Sequence, residues 1–196
     1  NDQLKAETSF NTELGVSFKK ENVFARVVYY NRNIKNGIDY NNIDNNFFNF
    51  IQQKVNGIEI EIQHPINEKH QFSLNYTYMN GQETNQNRVT NTDTITYNYL
   101  LKRPKHSLQL QYNIAHKKWE VCLSGRYISS RYDVGGYATS DVKLDYYTLL
   151  NAHIQYKENN WLSFFVDMQN ILQDRFQEIY GYNTMGRTIQ IGFRLH

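Results

Sequence analysis

Between residues 187 and 196 apolar and polar side chains alternate strictly. Ile189, Ile191, Phe193 and Leu195 fall on one side, Thr188, Gln190, Arg194 and His196 on the other, with Gly192 between them. A period of two predicts a strand with two unlike faces. The same alternation predicts eight earlier strands, over 8–18, 23–35, 50–63, 72–78, 106–114, 119–130, 147–157 and 161–170. Ile58, Ile60, Ile62, Leu108 and Leu110 are expected on the outer side with Ile189 and Ile191, and Glu59, Glu61, Gln109 and Gln111 on the inner side with Gln190 and Arg194. The connections alternate too. KKEN, PINE, HKK and ENN are tight turns, whereas 36–49, 80–101, 132–145 and 171–186 are long, polar and rich in Asn, Thr or Gly. The 80–101 stretch has room for a small hairpin around 93–99.

A soluble β-sandwich has no reason to keep one end tight and the other loose so regularly. A membrane barrel with short periplasmic turns and long extracellular loops does. The inner set includes Glu13, Glu59, Glu61, Asp167 and Arg194. In a dry core each unpaired ion of this kind costs about several kcal/mol, so a wide, wet or plug-filled lumen is expected.

Composition sharpens this picture. The chain has 196 residues with 16 Tyr, 11 Phe and only 2 Pro, and Lys+Arg 21 nearly balance Asp+Glu 19. Aromatics suit strands and membrane interfaces, and the even charge argues against a nucleic-acid partner. A transmembrane helix is excluded by the absence of a long apolar run, but a barrel is not, because only alternate residues meet lipid. The single Cys122 excludes an internal disulfide framework. Lacking a signal peptide and carrying only nine strands with two open edges, the sequence is expected to be a piece of a longer protein.

Four ordered motifs carry a family resemblance. Residues 169–176 (QNILQDRF) followed by 181–187 (GYNTMGR) resemble the closing hairpin of TonB-dependent outer-membrane receptors. Residues 4–15, with Leu4, Lys5, Glu7, Ser9, Glu13 and Gly15, resemble a segment preceding a middle barrel strand of that family, Ala6 standing where proline is usual. The stretch from Val55 to Glu61 is similar to its V-x-G-x-E-x-E strand, and Arg103, Pro104 and His106 to its R-P-x-H. Residues 125–133 and 147–151 are most similar to vitamin B12 (cobalamin) receptors of the BtuB type, and the Asn/Tyr-rich style resembles Bacteroidota proteins. His196 departs from the aromatic residue that commonly ends such barrels.

The resemblance implies an all-β antiparallel meander forming the C-terminal portion, about nine strands, of a 22-stranded transmembrane barrel in the Gram-negative outer membrane. It implies one domain over 1–196, with the TonB box, plug and first barrel half lying outside it. The implied activity is energised uptake of a scarce bulky nutrient: cobalamin first, a ferric siderophore or haem as alternatives. Outer-membrane lipid, TonB through the plug and a surface lipoprotein are the implied partners. A porin and a soluble β-sandwich binding domain are the rival classes.

No catalytic constellation is visible. Glu59 and Glu61 share a strand face without a nucleophile or metal set beside them, and the six His show no ligand spacing. The chain is therefore expected not to be an enzyme and to hold no cofactor. Asp39, Asn41, Asn42, Asp44, Asn45 and Asn46 offer oxygens that a loop Ca²⁺ could use, without the EF-hand pattern. The resemblance implies that plug apices and extracellular loops grip the ligand; the candidate ligand-binding residues in the long loops are Tyr97, Tyr99, Arg131, Tyr132, Tyr137 and Tyr180, and Tyr40, Phe47, Phe48 and Arg88 join them as loop residues. Aromatic faces with a few polar groups would suit a bulky corrinoid.

Overall fold

A computed structural model describes residues 2–41, 45–90, 92–136 and 139–196. In chain order its strands are β1 (Thr8–Lys20), β2 (Val23–Lys35), β3 (Ile38–Asn41), β4 (Asn46–Asn49), β5 (Gln52–Asn67), β6 (His70–Gln86) and β7 (Thr94–Tyr97). These are followed by β8 (His106–His116), β9 (Trp119–Ile128), β10 (Arg131–Asp133), β11 (Val142–Leu144), β12 (Tyr147–Lys157), β13 (Leu162–Gln169) and β14 (Thr188–Leu195). No helix occurs among the described residues. One antiparallel sheet runs β1-β2-β5-β6-β8-β9-β12-β13-β14, with β7 hung on the end of β6, while β3–β4 and β10–β11 are separate small hairpins. The nine strands of the main path are the nine expected from alternation.

Two adjacent rows across the sheet show how the faces are made. Phe72, Tyr112, Leu123, Ala152, Met168 and Ile189 stand directly opposite one another on six successive strands. One residue along, Gln71, Asn113, Cys122, His153, Asp167 and Gln190 form an equally continuous polar row. Because side chains alternate across a strand, the two rows lie on opposite faces. The apolar face leaves Ile191 79% and Phe193 64% exposed in the chain by itself, a surface that water disfavours and hydrocarbon accepts. Glu59 and Glu61 align with Val28 and Arg26 on the polar face, and Ile58, Ile60 and Ile62 with Tyr29, Val27 and Ala25 on the apolar one, as expected.

Buried side chains gather at the long-loop end rather than between sheet layers. Leu100, Ile128, Leu144 and Tyr147 are buried there, while Val28 and Val55 line the polar face. Leu100 lies over Gly81, where an added Cβ would come within 2.6 Å of its Cγ.

Several expected boundaries move. The turn expected at PINE starts later, because β5 runs through Pro65 to Asn67 with a register shift between them. Proline lacks an N–H, and an irregular position in the ladder lets it stay. β6 continues to Gln86, through residues expected in a loop, and pairs there with β7, so the small hairpin expected around 93–99 is the second arm of a strand extension. The connections expected as irregular loops over 36–49 and 132–145 contain the hairpins β3–β4 and β10–β11.

Candidate functional site

Three long connections meet around the short hairpin β10–β11. On its edge, Leu101 bridges to Tyr132, and the Lys102 amide donates to the Tyr132 carbonyl at 2.7 Å. Alternation along β10 sends Tyr132 one way and Arg131 and Asp133 the other.

On the Tyr132 side, its ring stacks on Tyr99 with centroids 3.9 Å apart and planes 17° apart. The Tyr99 hydroxyl donates to Asp141 at 2.8 Å. Asp141 also receives the Arg88 guanidinium, whose other nitrogen donates to Glu83 at 2.8 Å. That guanidinium lies 3.9 Å over the Tyr97 ring, and the Tyr97 hydroxyl accepts the Arg88 amide at 2.9 Å. Burial alone would make Arg88 easier to deprotonate, but the two carboxylates outweigh it and hold its proton more firmly than usual. The Tyr99 hydroxyl is pushed above its ordinary 10.0, first by burial and then by its hydrogen bond to Asp141.

On the other side, the fully buried Asp133 accepts the Tyr180 amide at 2.9 Å and its own neighbour Val134 at 2.8 Å. Arg131, 6% exposed, donates to the Gln177 carbonyl at 2.8 Å and lies 5.4 Å over the Tyr147 ring. Tyr147 stacks on Phe176 at 4.1 Å, and its hydroxyl donates to Glu178 at 2.7 Å. Arg126 reaches the same Glu178 oxygen at 3.4 Å. Among the described residues, Arg126 Nε and Arg131 Nη1 are buried without an acceptor; a donor left in that state costs about 1–3 kcal/mol.

Next to this cluster a cleft of ≈ 350 Å³ opens between β11 and residues 175–183, lined by Lys143, Tyr146, Arg175, Phe176, Tyr180 and Asn183 among others. Two cations against one carboxylate, Asp145, with three aromatic rings around the same cleft, suit an anionic ligand with flat conjugated parts.

The structure thus brings Tyr97, Tyr99, Arg131, Tyr132 and Tyr180 into one apical assembly; Tyr137 lies outside the described residues. Tyr180, 45% exposed, lines the cleft. Arg131 is held inside, where it ties the last loop to β10, and Tyr97, Tyr99 and Tyr132 are half-buried in the clasp around Arg88. Lys143, Arg175, Asp133, Asp141 and Glu178 were missed by the sequence reading, because single charges in polar loops carry no periodic signal. Of the oxygens considered for Ca²⁺, Asp39 and Asn46 accept the amides of Tyr40 and Phe47, and Asn45 the Tyr40 hydroxyl; Asn42 and Asp44 lie outside the described residues.

A meander with one apolar and one polar face, tight turns at one end and interlocked loops at the other is part of the wall of a membrane β-barrel. The family profile "TonB dependent receptor-like, beta-barrel" matches residues 1–171, and the chain belongs to that family. It is a family of outer-membrane receptors and transporters rather than enzymes. The chain is 32% identical over 89 residues to the ferrienterobactin receptor of Escherichia coli K12, a match spanning 40% of the chain and 12% of that receptor. Among solved structures it resembles the ferric-catecholate import receptor of E. coli K12 (TM-score 0.79, 19% identity, 100% of this chain and 28% of that one). It also resembles the ferripyoverdine receptor of Pseudomonas aeruginosa bound to ferripyoverdine (0.75, 16%, 98% and 27%). The chain therefore spans about a third or less of the length of these relatives.

Proposed function

We propose that this chain is the C-terminal wall and part of the ligand-capturing loop set of a receptor that takes up a ferric siderophore across the outer membrane. The rest of the working protein supplies a plug, the remaining strands of a 22-stranded barrel and the contact with TonB. The observation that carries the ligand class is the apical cleft with Lys143 and Arg175 beside Tyr146, Phe176 and Tyr180. A ferric tris-catecholate is an anion built of aromatic rings, so cations and ring faces both recognise it. The ferrienterobactin receptor as a relative supports the same reading.

Cobalamin is the second reading. It rests on the resemblance of residues 125–133 and 147–151 and on the Tyr-rich apex; the comparisons add no support for it, nor for a Bacteroidota source. With Lys143 and Arg175 against the single Asp145, the cleft lining keeps a net positive charge, which favours an anion.

The test is binding of ferric enterobactin, ferric hydroxamates, haem and cyanocobalamin to the full-length receptor in detergent. Ferric catecholate should bind, and replacing both Lys143 and Arg175 by Ala should weaken it about tenfold or more. Binding of cyanocobalamin alone selects the second reading. Free solute flux without binding makes the protein a porin.

A further inference from the structure

Glu178 occupies a position built for an anion that the chain itself does not hold well. Its carboxylate accepts the Tyr147 hydroxyl at 2.7 Å but meets Arg126 only at 3.4 Å. Both partners of that ion pair are about half exposed, at 42% and 50%. An exposed, stretched pair of this kind adds little stability and is readily exchanged. The arginines around it have donors left over: Arg126 Nε and Arg131 Nη1 are buried with no acceptor among the described residues. Both guanidiniums lie close to the Tyr147 ring, at 5.9 Å and 5.4 Å from its centroid. Arg126 belongs to the polar face of the sheet, since it stands opposite Gln109 and Leu149 in the row next to Gly125.

We propose that Arg126, Arg131 and the Tyr147 hydroxyl form an anion subsite on the luminal side of the apex, and that Glu178 occupies it as an internal stand-in. An anionic oxygen of the ligand, catecholate or carboxylate, displaces Glu178. Gln177 moves with Glu178 and releases the Arg131 nitrogen that it accepts in this structure. Two guanidiniums and a phenol then face one anion, an arrangement in which planar N–H pairs bind oxygen bidentately. The segment carrying Glu178 thereby closes the subsite when no ligand is present. This rests on the siderophore reading for the identity of the ligand, though not for the existence of the subsite.

The experiment uses the full-length receptor in detergent with ferric enterobactin. Glu178→Gln removes the competing charge and should tighten binding about tenfold, Arg126→Gln should weaken it by about the same factor, and the double variant should follow Arg126→Gln. Tyr147→Phe keeps the stack on Phe176 and should weaken binding less than Arg126→Gln. Unchanged or weaker binding in Glu178→Gln overturns the proposal. A wild-type receptor that binds no ferric catecholate removes the siderophore reading instead. The subsite is then probed with 2,3-dihydroxybenzoate, which should speed tryptic cleavage after Arg175 in the wild type and not in Arg126→Gln. Equal cleavage in both, with and without the probe, overturns the subsite itself.

Discussion

Tyr99 and Tyr132 lie in different loops and stack almost face to face, 3.9 Å between ring centres and 17° between planes. The contact fixes the β10–β11 hairpin against the connection that follows β7. Aromatic pairs of this kind contribute about 0.5–1.5 kcal/mol beyond the area that they bury. Tyr132→Ala should therefore make the backbone at Lys102 more accessible, read as a severalfold faster tryptic cleavage after Lys102 in the full-length protein. Tyr132→Phe keeps the stack and should cleave at the wild-type rate.

The Arg88 clasp should behave as a single unit. Removing one member of a buried charge group leaves the others uncompensated, at a cost of about 3–5 kcal/mol. Arg88→Met should speed hydrogen exchange of the Asn87 amide, which is bonded to the Asp93 carbonyl at 2.7 Å. In a double-mutant cycle with Asp141→Asn the two effects should be far from additive. Additive effects would show that the clasp has no shared energetics.

The same clasp predicts a response to alkaline pH. Tyr99 holds its proton above the ordinary 10.0 in the folded loop. The folded form then binds more protons than the open one once pH passes that value, so stability is intact below it and falls as pH rises further. Loop protection should be flat from neutral pH to about 10 and decline above. Tyr99→Phe should remove that decline. In a spectrophotometric titration the wild type minus Tyr99→Phe difference should show one phenol ionising later than ordinary tyrosine.

Neighbouring positions on β14 should answer oppositely to charge. Ile191 stands opposite Val166 on the apolar face, whereas Gln190 stands opposite Asp167 on the polar one. Arg facing the bilayer midplane costs about 2–4 kcal/mol. Ile191→Arg should lower the folded fraction of the full-length protein in lipid vesicles; Gln190→Arg should leave it near wild type. Equal losses would mean that the faces have been assigned wrongly.

Two glycines on the polar face differ in what they allow. A Cβ at Gly57 would strike the Tyr78 carbonyl and the Tyr30 ring, and the carbonyl belongs to the sheet backbone and cannot retreat. At Gly15 the first atom met is the Val28 Cγ2, at 3.4 Å, the movable end of a side chain. Gly57→Ala should reduce the amount of folded receptor recovered from outer-membrane fractions. Gly15→Ala should not.

The sheet was legible because each long strand repeats one rule. Val23–Lys35 and Tyr147–Lys157 fall on the bounds that alternation marks, since every second side chain faces a different solvent. The hairpins Ile38–Asn41 with Asn46–Asn49 and Arg131–Asp133 with Val142–Leu144 were not legible. Strands of three or four residues give too few alternations to register, and their polar composition reads as loop. At the apex, the tyrosines were found by type, because many Tyr in exposed loops are conspicuous. Their partners were not: Asp141, Asp133 and Glu178 acquire meaning only through contacts 31–53 residues away in sequence.

The β10–β11 hairpin holds two other loops at once, with Asp133 also paired to Lys102 at 3.7 Å, and this limits how such a receptor can diversify. Tyr132 needs the connection that carries Tyr99; Asp133 and Arg131 need the segment that carries Gln177 and Tyr180. Exchanging any one of these loops with that of another receptor would leave a buried charge or ring without its counterpart. On the proposed function, the ligand preference of this part of the barrel therefore travels as a set of three loops, to be transplanted together or not at all.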